Sequence, residues 1–143
     1  NVIDIKEDGS FRLDMSYFNY TTGLTMTSKK MSKLLKHRPR RPESEVTQFE
    51  MDLARSAQEI TEEIILKLAK TAKKITNSEN LVLAGGVALN CVANGKLQKE
   101  KIFKDIWIQP ASGDSGSALG GAAGGLDGCL GVRIGMSGFV VLG

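Results

Sequence analysis

Leu81-Val82-Leu83-Ala84-Gly85-Gly86-Val87-Ala88-Leu89-Asn90, followed downstream by Gln109-Pro110-Ala111-Ser112-Gly113-Asp114-Ser115-Gly116, is the part of this sequence that decides its fold. Both stretches share one plan. A short apolar run that reads as a buried strand stops at a turn of small residues, and a segment able to begin a helix comes next. Glycine at such a turn can take a positive φ or let a ligand approach the backbone closely. A helix beginning there offers unpaired N–H groups and the positive end of its dipole. Two such units in succession predict an α/β fold, and they suit a nucleotide or phosphate site better than a plain core.

Around this pair, the chain has the size and make-up of one globular domain. Its 143 residues are 41% hydrophobic and 24% charged, which excludes a disordered or membrane class. A net charge of +3 is too slight to imply nucleic acid by itself. Cys91 and Cys129 cannot form a disulfide framework and lack the paired spacing of a zinc site, so a reducing cytoplasm is the expected compartment. No apolar run reaches the ~20 residues of a membrane span. The chain starts at Asn1, without a signal-peptide pattern and inside what reads as a strand, and is expected to be part of a longer protein.

Upstream of the two loops, Val2, Ile3 and Ile5 and then Phe11, Leu13 and Met15 alternate with polar residues about Asp8-Gly9, which predicts a β-hairpin with a two-residue turn. Tyr17, Phe18 and Tyr20 read as packing residues. The basic excess lies in 28–41: Lys29, Lys30, Lys33, Lys36, Arg38, Arg40 and Arg41, with the only histidine, His37. Such a run can track phosphates. Without interleaved aromatics, a short amphipathic helix with a solvated face is the favoured reading. Thr47-x-x-Glu50 is a capping box. After it Phe49, Leu53, Ala57, Ile60, Ile64, Leu68, Ala72 and Ile75 step by three and four, predicting one long scaffold helix with Arg55, Glu59, Glu62, Glu63, Lys67, Lys70 and Lys73 on its polar face.

Downstream, strands are expected at Leu81–Ala84 and Ile106–Ile108, with helices from about Val87 to Leu97 and over Ser117–Gly125. Asp114 sits where ligands of α/β sheets gather, yet it could equally cap the next helix, which local sequence favours. Ser112, Ser115 and Ser117 suit caps or phosphate contacts better than nucleophiles, since no G-x-S-x-G elbow is present. Asn90 could bond a ribose or base, or satisfy the turn. Cys91 reads as a small buried apolar residue.

Leu83–Gly95 together with Ile106–Gly120 resembles the NodU/CmcH carbamoyltransferase family, as do Pro39-Arg40-Arg41-Pro42-Glu43 and Asp52–Gln58. The match covers roughly residues 8–125. The resemblance implies the second lobe of an actin-like ATPase (ribonuclease H-like) domain over 1–127, a mixed sheet with flanking helices, leaving 128–143 as an unassigned tail. It implies that carbamoyl adenylate, made from carbamoyl phosphate and ATP by a C-terminal YrdC-like domain, gives its carbamoyl group to a hydroxyl of a sugar, antibiotic or related metabolite. Carried over, Gly85, Gly86, Val87, Asn90, Gly113, Ser115 and Gly116 contact the nucleotide. Asp114 binds a divalent metal, with iron expected, completed by histidines of an H-x-x-x-H motif that this chain lacks and His37 does not replace. The expected partners are the first lobe and the YrdC-like domain of the same parent protein and a small-molecule acceptor, with no membrane and no nucleic acid. The chain departs from the family at Leu35-Lys36-His37, where a glycine is usual, and after about Leu126. Half a site implies an isolated chain without turnover. Two other readings stand beside this one: a tRNA-modifying threonylcarbamoyl-transferase relative, and a non-catalytic actin-like nucleotide-binding module.

Overall fold

The computed structural model describes residues 2–113, 115, 116 and the backbone of 139–142. The chain divides into two compact units, 1–64 and 65–143.

In the first unit, β1 (Ile3–Ile5) and β2 (Phe11–Leu13) form an antiparallel pair with Ile3 opposite Leu13 and Ile5 opposite Phe11. The connection is longer than the two-residue turn expected. Lys6 N–H bonds the Ser10 carbonyl at 2.9 Å and Gly9 N–H bonds Lys6 at 3.1 Å, with Gly9 at φ 87°. The hairpin is thus closed by three residues ending in a left-handed glycine. Asp8 explains the extra residue, because its carboxylate accepts both the N–H and the hydroxyl of Ser10, at 2.9 and 2.7 Å. Met15 leaves the strand pattern for a 3-10 turn, Met15–Tyr17, capped by Asp14. Helix α1 (Lys29–Leu35) is the short basic helix expected, capped by Ser28 and ended by Lys36 in a left-handed conformation.

Helix α2 (Gln48–Thr76) is 29 residues, so about 43 Å long at 1.5 Å per residue. The carboxylate half of the capping box forms: Thr47 donates its N–H to Glu50 Oε2 at 2.9 Å and its hydroxyl to the same oxygen. The buried stripe differs from the predicted one. It takes in Ile64 and Ala72 of the predicted series together with Glu62 and Ala69, with Ile65 and Leu66 partly buried beside them, whereas Leu53 and Ile75 of the predicted series are exposed. Glu62, expected on the polar face, is only 4% exposed and accepts from Gln58 Nε2 at 2.8 Å. Apolar residues at both 64 and 65 and at both 68 and 69 widen the apolar face, and packing buries Ile64 of the first pair and Ala69 of the second.

The second unit holds a parallel sheet in the order β4-β3-β5, formed by β3 (Asn80–Leu83), β4 (Asp105–Ile108) and β5 (Phe139–Leu142). Leu81 and Leu83 of β3 pack with Ala69 and Ala72 of α2, Leu97 of α3 (Cys91–Lys99) and Phe103 in one buried cluster. The expected helix from Val87 is corrected. Gly86–Leu89 is a 3-10 turn and α3 starts only after Asn90. Asn90 divides the two because its N–H closes the turn on Val87 at 2.9 Å while its Oδ1 accepts from Ala93 N–H at 3.1 Å, a cap in place of a helical residue. The apolar end Phe139–Leu142 is a strand. The expected helix Ser117–Gly125 lies outside the described residues. The result is a mixed α/β arrangement of small sheets and helices, and no helix among the described residues is long and apolar enough to cross a membrane.

Candidate ligand-binding loops

Parallel pairing sets the geometry of the site. Leu83 lies opposite Ile108, so β3 and β4 end at the same level and the segments leaving them start side by side. Gln109 N–H bonds the Leu83 carbonyl at 3.3 Å and ties the two exits together. Both motif stretches therefore stand at the carboxyl edge of one sheet, where α/β proteins collect their ligands.

The glycines of these segments have separate duties. Gly85, at φ 87° and ψ 162°, holds a backbone conformation that only glycine adopts readily. A Cβ on Gly116 would overlap the Ala111 carbonyl oxygen, and Gly116 N–H bonds Gly113 at 2.9 Å. These two are needed by the chain itself. Gly86 and Gly113 are different, because a Cβ on either would meet nothing within 4 Å. There the backbone is open to an approaching group.

Around the first turn, Ala88 is buried while Val87 and Leu89 are 58% and 55% exposed. Asn90 has its side-chain oxygen committed to capping α3. Ser115 is exposed. Ser112 is buried, and its Oγ has no hydrogen-bond partner among the described residues. Asn94 was not singled out from the sequence, yet its Nδ2 donates to the Ala88 carbonyl at 2.7 Å. A second asparagine one helical turn after Asn90 was the only signal for it.

The metal expectation finds no support in the described residues. None of them form a group of three or more His, Cys, Asp or Glu able to hold an ion, and Asp114 lies outside them. His37, in the first unit, stacks on Phe49 with ring centroids 4.0 Å apart, its Nδ1 4.0 Å from Glu50 Oε1. Of the basic run, Lys30 is paired with Asp14 at 3.4 Å and lies 4.1 Å from the Tyr17 ring, and Arg40 donates to the Ser44 carbonyl.

The model of the carbamoyltransferase N-terminus family matches residues 1–123. The chain belongs to this family. Both loops fall inside the matched span. Among curated relatives, this carbamoyltransferase segment is 58% identical over 122 residues to an uncharacterised protein of Synechocystis, covering 85% of this chain and 20% of that protein. It is 49% identical over 76 residues to nodulation protein NolNO of Sinorhizobium fredii, covering 53% of this chain and 11% of the relative. Nodulation protein NolO of Bradyrhizobium diazoefficiens is 46% identical over 76 residues, 53% of this chain and 14% of the relative. The NodU/CmcH-type resemblance carried by the loops is borne out. The chain spans a fifth or less of the length of these three relatives.

Proposed function

We propose that this chain is the nucleotide-side lobe of an O-carbamoyltransferase with an actin-like fold. In this reading the parent protein uses carbamoyl adenylate, formed from carbamoyl phosphate and ATP, to carbamoylate a hydroxyl of a sugar, antibiotic or related metabolite. The observation that carries it is the pair of loops at adjacent strand ends, each with one glycine, Gly86 and Gly113, whose open face admits a ligand. Backbone N–H groups of Gly86, Val87 and Gly113 would line the nucleotide, with Val87 against its apolar part and Ser115 on a phosphate. Asn90 acts through the start of α3 that it caps, since its Oδ1 is already engaged.

In the transfer itself the acceptor oxygen attacks the carbamoyl carbon, the bond from that carbon to the adenylate oxygen breaks, AMP leaves and the hydroxyl proton is lost. The described residues do not form a metal site of their own. The chain alone carries part of the site, and no turnover is expected from it.

The test is Gly86→Val in the full-length protein, followed by carbamoyl-phosphate- and ATP-dependent transfer to an acceptor. The side chain enters open space, so folding survives, and transfer should fall at least tenfold, on the order of one lost interaction. Unaltered transfer and an unaltered KM for carbamoyl adenylate would remove the loop from the site.

A further inference from the structure

We propose that Asn94 is the positioning residue of the Gly85–Leu89 turn, an inference that rests on the nucleotide-loop reading of the proposed function. Two backbone bonds tie this 3-10 turn to its flanking residues, Ala88 N–H to Gly85 at 3.1 Å and Asn90 N–H to Val87 at 2.9 Å. Asn94 adds a third from outside, its Nδ2 reaching back six residues to the Ala88 carbonyl at 2.7 Å. Its own place is fixed by α3, through its N–H to the Asn90 carbonyl at 3.0 Å. Asn90 and Asn94 thus work from one helix: the first sets where α3 begins, and the second holds the peptide after Ala88.

Two local costs mark this bond as the reason for the residue. Asparagine is a poor helix former because its amide competes for backbone partners. In addition, Asn94 Oδ1 is buried and finds no donor among the described residues, an expense that alanine or leucine would avoid. Sites that break local rules in this way are those where geometry matters for a ligand. By fixing the Ala88 carbonyl, Asn94 holds the open backbone at Gly86 in place before a ligand arrives. Less ordering is then left to binding itself.

The experiment uses the full-length protein, with added carbamoyl adenylate as the probe and Asn94→Ala, Asn94→Asp and Gly86→Val as variants. Asn94→Ala should raise the KM for carbamoyl adenylate about tenfold and leave kcat at saturating carbamoyl adenylate within about twofold, because one pre-ordering bond is lost while the chemistry is untouched. A merely structural role would lower the active fraction, and so apparent kcat, at unchanged KM, and would overturn the inference. Where Asn94→Ala does not fold, Asn94→Asp decides, since it has the same shape without the donor. A raised KM for carbamoyl adenylate supports the inference and an unaltered one overturns it. Gly86→Val separates the two levels. A raised KM for carbamoyl adenylate there with a normal one in the Asn94 variants refutes positioning alone, whereas a normal KM in Gly86→Val refutes the loop reading and the inference with it.

Discussion

Gly85 and Gly86 are adjacent and identical, yet substitution should separate them. An alanine at Gly85 would be forced into a region costing on the order of 1–3 kcal/mol, whereas Gly86→Ala should stay within about 0.5 kcal/mol. Urea unfolding midpoints of the two variants would measure the gap. The sequence marked the pair as a turn, but which glycine serves the backbone and which faces a ligand depends on φ and on surrounding space, and neither is written in two identical letters. Asp14 supplies a second residue-scale test. Hydrogen bonds from the Ser16 hydroxyl and N–H, helped by Lys30, hold its carboxyl down at about 2. A carboxyl whose folded value lies below its unfolded one stabilises the fold above the unfolded value and loses that contribution as pH falls towards the folded one. The Met15–Tyr17 turn should therefore keep its cap down to about pH 4 and loosen between there and about 2. Ser16→Ala should bring the Asp14 titration, followed by carboxyl NMR shifts, up towards the ordinary value of about 3.9.

At the scale of elements, α2 and α3 divide what the sequence could and could not reveal. The start of α2 was legible because Thr47 and Glu50 form a local pattern whose bonds need no tertiary context. Its buried stripe was legible only in part: Ile64 and Ala72 are buried as the spacing predicts, but with apolar residues at both 64–65 and 68–69 the pattern does not say which of each pair is buried. Ile75, on the predicted stripe, is 77% exposed, while Leu97 of α3 is wholly buried. Leu97→Ala should cost about 2–5 kcal/mol. Ile75→Ala should change stability by about 0.5 kcal/mol or less. Chemical denaturation of both variants checks the pair, and equal losses would mean that the core lies elsewhere. The start of α3 was misjudged for a related reason. Val87-Ala88-Leu89 is as helical in composition as residues 91–97, and only the cap formed by Asn90 shows where the helix begins.

For the whole molecule, strand order made the loops meaningful. Their motifs were visible in the sequence, but β3 and β4 being parallel neighbours is a tertiary fact, and it is what brings Gly86 and Gly113 to one sheet edge. The parent protein's activity belongs to this scale, and so does Asp114. If it supplies one ligand of a cation completed by groups beyond this chain, Asp114→Ala in the full-length protein should keep pyrophosphate release from ATP and lose both bound metal and transfer. Retained metal and normal transfer would leave Asp114 as a helix cap.

The position of β3 has one more consequence. It is bonded along both edges, by β4 and β5, while among the described residues β1 and β2 form a two-stranded pair. Amide hydrogen exchange should therefore be slowest at Leu81–Leu83 and fast throughout the hairpin, since an isolated two-stranded pair is marginal. The most protected backbone then ends two residues before Gly85. Binding at the turn would register as new deuterium protection over Gly86–Asn90, set against a strand that is already silent, so that occupancy could be read without any label on the ligand.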